Sequence, residues 1–351
     1  MRRQLQSMYN ILYPKLPDVG KRTASRIDYL FGGKPVVYHD PAVHPVDRLD
    51  RGVVTISLDF EMAWAWQYAK DQAENFIARG LREREQVPHI VSLFNEFQIP
   101  ATWAIVGHLF LEKCSRGTNG SAHPEMPRVH RFETSHWIFP GGDWYQHDPC
   151  TDVRRDPAWY APDLIGQILS CGVGHEIASH SFSHVGFGSY CSDEVARAEI
   201  AACLEAMAVF GVRPATWIFP GHEEGNFTAL RGSGIRIVRM FPRAFVNITL
   251  PMRRDDGIWM VHASSGIDRG KGWNFDQRLT WLKKLVDTAA ETRLAAHIWL
   301  HPSLHPDQIA GVLTPFIRYC AEKRERSLID ILTMEQLVMR TETALRKHRS
   351  A

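Results

Sequence analysis

An α/β fold built on a parallel sheet is what this 351-residue sequence predicts. Three observations carry that expectation. Short apolar, β-branched runs such as Val53-Val54-Thr55-Ile56-Ser57-Leu58 recur between helical stretches. Several of these runs end in acidic or histidine residues, as strands do when they deliver side chains beyond the C-terminal edge of a sheet. The alternation continues through most of residues 53–340, with no internal repeat and no low-complexity tract. The sheet is then either doubly wound or closed into a barrel, and in both cases site residues lie beyond the C-terminal ends of strands.

Residues 1–50 are basic and carry Pro14, Pro17, Pro35, Pro41 and Pro45. They read as a short helix, a linker and one short strand near Val36–Tyr38, forming an extension packed on the main domain. That domain spans residues 51–345. After its first strand, residues 71–97 form a helix with Ile90, Leu93, Phe94 and Phe97 on one face. A second strand covers Ala101–Gly107. Residues 115–160 lose the rhythm and read as a long insertion, the kind of loop that serves function or mobility. A helix near Ala161–Cys171 precedes a strand at His175–Ala178. Residues 192–210 form a helix capped by Ser192, with Asp193 and Glu194 in its first turn. Further strands fall at Ala215–Phe219, Ile235–Arg239, Gly257–Val261 and Ala295–Leu300, and further helices at 274–292, 306–324 and 333–346.

Composition narrows the function classes. Hydrophobic residues make up 44% and charged residues 23%, so a chain of this length can bury a core without staples. Its 41 basic and 39 acidic residues nearly cancel, which gives no reason to expect nucleic acid as a partner. The six cysteines form no CxxC pair and are irregularly spaced, so neither a disulfide framework nor a cysteine-built zinc site has support. Mostly buried free thiols in a reducing compartment are expected. Gln, Ser and Asn interrupt any apolar run before Pro14, so the unbroken stretch of roughly 7–15 residues of a signal peptide is absent. No window approaches the roughly 18 apolar residues of a membrane span. A cytoplasmic location is expected, although Met8, Tyr9, Ile11, Leu12 and Tyr13 cluster and leave peripheral membrane contact open.

Three constellations carry chemistry. In Ser57-Leu58-Asp59-Phe60-Glu61, side chains two apart in a strand share a side, so Asp59 and Glu61 come together at a strand end. Two adjacent carboxylates raise each other's pKa unless a cation intervenes. In Gly174-His175-Glu176-Ile177-Ala178-Ser179-His180-Ser181-Phe182-Ser183-His184, the i,i+4 pair His180 and His184 shares a face if the backbone turns as a helix, and both rings can then reach one metal ion. Ser179, Ser181 and Ser183 can orient those rings, and His175 reads as structural. In Ala296-His297-Ile298-Trp299-Leu300-His301-Pro302-Ser303-Leu304-His305, His297 reads as a core histidine. His301 and His305 compete for a functional role, and the strand-end position favours His301.

The order of these segments resembles the polysaccharide deacetylase family (carbohydrate esterase family four) over about residues 53–338, with His180-Ser181-Phe182-Ser183-His184 as the most specific motif. The resemblance implies a distorted (β/α) barrel of about seven parallel strands and one divalent metal, commonly zinc. It implies that Asp59 is the catalytic base, that His180 and His184 are metal ligands, and that His301 is the general acid. The family's metal-binding acid directly follows the base, but Phe60 stands there, so Glu61 is the expected replacement. The family also carries an arginine-proline segment beside the base. The corresponding stretch, Trp217-Ile218-Phe219-Pro220-Gly221-His222-Glu223-Glu224-Gly225-Asn226, holds no arginine. It looks more like the branch associated with bacterial surface-sugar gene products.

Candidate substrate contacts are Trp64, Pro220, His222 and Asn226, with Trp66, Trp137, Trp144 and Trp299 near the site segments in sequence. The implied reaction is metal-dependent hydrolysis of an N-acyl group, N-acetyl first, from an amino sugar or sugar-containing intermediate, so the expected partner is a small molecule or glycan. Another non-peptide C–N bond, such as an N-formyl group or cyclic amide, and an inactive sugar-binding relative are the alternatives. A serine-nucleophile hydrolase has no G-x-S-x-G elbow to stand on.

Overall fold

The computed structural model describes residues 33–350 apart from 41–43, 45, 71–73, 242–245 and 269–271. The helix expected before Pro14 lies outside the described residues. Among those described, seven strands pair side by side in parallel. They are β1 (Gly52–Phe60), β2 (Thr102–Ile105), β3 (Glu176–Ser179), β4 (Thr216–Ile218), β5 (Ile237–Met240), β6 (Trp259–His262) and β7 (Ala295–Leu300). Their spatial order is β7-β1-β2-β3-β4-β5-β6. Every residue of β1 is buried, as suits a central strand covered on both faces.

The sheet curls until its ends approach. On leaving β6, Ala263 N donates to Met240 O at 2.9 Å, and Ser264 N donates to His297 O at 2.7 Å. Ser265–Gly266 then pairs in parallel with Ile298 and Trp299 of β7. The sheet is thus a curled, predominantly parallel half-barrel, and this resolves the choice left open between a doubly wound sheet and a barrel. Shorter pieces line it. Ile329–Ile331 pairs in parallel with the start of β1, while Met252–Arg253 and Ile248–Thr249 run antiparallel to β6 and β7. The strand expected at Val36–Tyr38 is a single bridge, Val37 to Ile248, with Tyr38 N donating to Ile248 O at 2.9 Å.

The helices α1 (Phe76–Glu96), α2 (Pro162–Ser170), α3 (Asp193–Ala208), α4 (Phe227–Gly232), α5 (Phe275–Thr292), α6 (Thr314–Glu325) and α7 (Met334–Ser350) pack on the sheet. Ser192 caps α3 as expected, accepting from Val195 N at 3.2 Å. The helix expected over 306–324 is present but not uniformly α-helical. A short α-helical start at Pro306–Gln308 runs directly into a π-helical segment, Ile309–Leu313, which continues into α6. Pro315 sits in the first turn of α6 and lacks the N–H a regular helix would use there, so the wider π turn absorbs the mismatch.

Between β2 and α2, the described regular structure is a 3₁₀ turn at Gly107–Phe110 and two two-residue strands, Phe132–Glu133 and Ile138–Phe139. Aromatic packing holds this insertion in place: Phe132 stacks on Tyr190 at 3.9 Å, and Trp144 Nε1 donates to Ser183 Oγ at 3.0 Å. No helix among the described residues is long and apolar enough to cross a membrane.

Candidate active site

The end of β1 is bent so that two carboxylates share one pocket. Met62 adopts φ 51°, and the buried Glu83 of α1 accepts from Glu61 N at 2.9 Å and Met62 N at 3.2 Å. Burial pushes Glu83 well above the ordinary carboxylate range, with Glu61 adding to the shift. Asp59 and Glu61 are each only 3% exposed.

Asp59 is gripped by an arginine. Arg239, on β5, donates from Nη1 to Oδ1 at 2.6 Å and from Nη2 to Oδ2 at 2.5 Å. The same Nη1 donates to Ser57 Oγ at 3.1 Å, and the guanidinium lies 5.3 Å from the centre of the Trp299 ring. Burial alone would raise the Asp59 pKa, but the charge of Arg239, followed by that of His180, holds it below its ordinary value. Reading residues 217–226 by themselves leaves the base without an arginine, and the structure corrects this: the guanidinium comes from the next strand. A cation inside the apolar run Ile237-Val238-Arg239-Met240 is the sequence signal that could have found it.

His180 and His184 follow β3, but not as a helical turn. Ser181 and His184 both adopt left-handed backbone, with φ 57° and 65°, so the pair converges through a tight loop instead of the helix face that its spacing suggested. Buried Glu199 of α3 shapes that loop, accepting from Phe182 N and Ser183 N at 2.8 Å each. The two imidazole centres lie 5.2 Å apart. His180 Nε2 is 2.8 Å and His184 Nε2 3.1 Å from Glu61 Oε1.

His301 closes the arrangement from the end of β7, with Nε2 3.4 Å from Glu61 Oε2 and 27% of its side chain exposed. His305 is exposed at a helix start, away from this group. His297 is buried within β7 and bonded through Nε2 to Ser57 Oγ at 2.8 Å, as a core histidine. Burial, followed by the nearby Arg239 charge, lowers its pKa to about 3. His175 is likewise structural, since Ala101 N donates to its Nδ1 at 3.2 Å.

Residues 71–232 match the family model described as polysaccharide deacetylase. Those residues carry a polysaccharide deacetylase domain. Among solved structures, a candidate polysaccharide deacetylase from Mycobacterium smegmatis aligns over 90% of this chain and 95% of its own, at 16% identity and a TM-score of 0.58. Another candidate from Pseudomonas aeruginosa PAO1 aligns over 88% and 95%, at 15% identity and a TM-score of 0.57. The PuuE allantoinase aligns over 88% and 94%, at 15% identity and a TM-score of 0.55. At these identities the likeness concerns the fold. Comparison with curated protein sequences yields no match.

In this chain Asp59, Glu61, His180, His184 and His301 come together. The four candidate substrate contacts do not behave alike. Trp64 is 1% exposed and packs edge-on against Trp159 and over His108, inside the insertion rather than toward the carboxylates. Asn226, at φ 49°, uses its amide to bind Cys191 O at 3.2 Å and so holds loop shape. Pro220 is buried. His222 does approach the site, with its ring 5.0 Å from Trp299. The aromatics that flank the histidines are Trp66 and Trp299, 5.6 and 5.3 Å from His301, and Trp137, 5.6 Å from His184. Trp137 lies over Gly221, where a Cβ would meet the indole at 2.6 Å, so only glycine fits beneath it.

The donor set suits a divalent cation. His180 Nδ1 lies 2.8 Å from the Ile218 carbonyl, which can only accept, so the ring proton sits there and Nε2 turns a lone pair toward the Glu61 carboxylate. Acceptor then faces acceptor at 2.8 Å in a buried site. A cation between Glu61, His180 and His184 relieves that conflict.

Proposed function

We propose that this chain, with its polysaccharide deacetylase domain, hydrolyses an N-acyl amide, N-acetyl first, on an amino sugar or sugar-containing intermediate, and that it does so with one bound divalent metal, zinc in our reading. The observation that carries the proposal is the Asp59–Arg239 pair set beside the Glu61, His180 and His184 cluster, with His301 facing the same carboxylate.

A divalent ion held by Glu61, His180 and His184 would supply Lewis-acid polarisation of the amide carbonyl and lower the pKa of an attacking water toward about 7. Asp59 acts as the base that takes the proton from that water. Arg239 keeps Asp59 ionised and fixes both carboxylate oxygens, so the base does not swing away or protonate. His301, less buried than the other members, delivers a proton to the leaving amine, which is a poor leaving group without it. Trp66, Trp137 and Trp299 offer flat apolar faces for a sugar ring on the open side.

The test combines metal content with turnover. Purified protein is expected to release acetate from N-acetylated amino sugars, His180→Ala to lose metal from this site, and Asp59→Asn to keep the metal while losing turnover. Release of a formyl group or opening of a cyclic amide instead would move the substrate to the other C–N bond class. Metal retained in full by both His180→Ala and His184→Ala, or unchanged turnover by Asp59→Asn, would remove this mechanism.

A further inference from the structure

A second group of metal-type ligands lies behind the catalytic loop. His108, Cys114, His123 and Asp148 place their donor atoms within 4.8 Å of one another. Residues far apart in the irregular insertion and its approach are brought together there. His108 N donates to Phe182 O at 2.9 Å, and the His108 and His123 rings lie 5.6 and 5.5 Å from the Phe182 ring, so the group backs directly onto the loop that carries His180 and His184.

The hydrogen-bond pattern leaves one buried, ligand-type nitrogen of this group, His108 Nε2, without a partner. His108 Nδ1 lies 3.3 Å from Trp159 O, a carbonyl that can only accept, so the ring proton belongs on Nδ1. Its Nε2 then points a lone pair at the carboxylate of Asp148, 3.3 Å from Oδ2, and this fully buried nitrogen makes no hydrogen bond. His123 repeats the arrangement, with Nδ1 3.3 Å from Glu125 Oε1 and Nε2 2.9 Å from the same Asp148 Oδ2. Cys114 Sγ is 3.5 Å from that oxygen. A metal ion can bind all four of these atoms at once and gives His108 Nε2 a partner.

Two of the three spacings to Asp148 Oδ2, those of His108 and Cys114, are those of tetrahedral coordination, and His123 lies closer at 2.9 Å. Nitrogen and oxygen ligands at about 2.0–2.1 Å from zinc lie about 3.3 Å apart, and a thiolate at about 2.3 Å lies about 3.5 Å from a carboxylate oxygen. The outer contacts are of the kind that fix ligands. Trp159 O and Glu125 hold the imidazoles, Cys150 N donates to Asp148 Oδ1 at 2.9 Å, and the Tyr160 hydroxyl lies 3.2 Å from Cys114 Sγ.

We infer that His108, Cys114, His123 and Asp148 form a second, structural metal site of the zinc type, which pins the insertion against the back of the catalytic loop. Four protein ligands leave no open position, as in structural zinc sites. The cysteines carry no zinc motif in sequence because the site draws one thiolate from a mixed set. The inference uses none of the residues of the proposed reaction.

The test uses full-length protein from cells grown in cobalt-supplemented medium. The proposed catalytic site contains no cysteine, so a thiolate-to-cobalt charge-transfer band in the near ultraviolet reports on the second site alone. The band is expected in the wild type and in the His180→Ala/His184→Ala double variant, which should retain one equivalent of metal per chain. Cys114→Ser should lose the band, and His123→Ala in the double-variant background should lose the remaining metal. A cobalt-loaded wild type without the band, a band that survives Cys114→Ser, or a double variant that holds no metal would each overturn the inference. The wild-type spectrum and the double variant decide the matter even if Cys114→Ser fails to fold. Failure of the catalytic reading would appear separately, as metal unaffected by His180→Ala.

Discussion

Two histidine–carboxylate groups sit back to back in this protein, and they differ mainly in how they are closed. Around Glu61, two imidazoles converge on one carboxylate oxygen, and the remaining side holds His301, whose side chain is 27% exposed. Around Asp148, two imidazoles again converge on one oxygen, but Cys114 occupies the remaining side, and His108 and Asp148 have no exposure. Similar donors therefore fit different tasks. A catalytic metal needs an open position for water and substrate, whereas a structural one is saturated by the chain. The carboxylates differ in the same sense. Asp59, beside the open group, is held by Arg239 and not by a histidine ring, which leaves it ionised as a base.

The sharpest way to break this comparison is to remove the arginine. In Arg239→Met the strongest influence lowering the Asp59 pKa is gone and burial pushes the carboxyl upward. We expect kcat/KM at neutral pH to fall by roughly 10²–10⁴-fold, the loss associated with a misplaced general base. The acid limb of the pH profile should move to higher pH, because the base now protonates more readily. Metal content should stay as in the wild type, since Arg239 touches neither group of ligands. A pH profile unchanged in shape would mean that Arg239 supports only the fold.

The two regions also differ in how far their sequence could be read. β1 announces itself because its run is rich in apolar and β-branched residues and ends in two acids spaced two apart. The strand-end argument that favours His301 over His305 has a structural counterpart, since β7 ends at Leu300 and His301 follows it beside Glu61. The backbone between His180 and His184 was not legible. Two left-handed residues bring the rings together, and nothing in the spacing distinguishes that from a helical turn. Arg239 was missed because its partner Asp59, on β1, lies four strands earlier along the chain but within reach across the curled sheet. Cys114, His123 and Asp148 were the least legible, because an aperiodic segment carries no repeat to phase its side chains. Trp64 pointed the wrong way for a similar reason: its one turn of helix follows the bend at Met62, and strand alternation does not extend past it.

Glu199 tests whether the two groups are mechanically joined. It accepts from Phe182 N and Ser183 N on the catalytic loop, and from the hydroxyl of Tyr145 in the insertion at 3.1 Å. Glu199→Ala strands these buried donors, and we expect a loss of about 2–3 kcal/mol in urea denaturation. It should also weaken metal retention at both groups, because the loop and the insertion lose their shared anchor. Loss confined to the His180 group would show that the insertion holds its own shape.

The smallest effect is expected far from both groups, at Glu176 near the start of β3. This buried carboxylate accepts from Thr102 Oγ1 at 2.8 Å, from Thr216 Oγ1, and from Glu335 N in the first turn of α7 at 3.0 Å. Despite these donors, burial raises its pKa above the ordinary value of 4.5. Between 4.5 and the higher folded value, the native state binds more protons than the unfolded state. Its contribution to stability therefore falls as pH rises through that window and is constant above it. Glu176→Gln cannot ionise, so the stability of the wild type relative to this variant should decline with rising pH across the window and then level off, with a net change within about 1 kcal/mol. Paired urea denaturation curves at several pH values measure this directly. A wild-type advantage that grows with pH would mean that the three donors outweigh burial, and that Glu176, like Asp59, is held ionised by its surroundings.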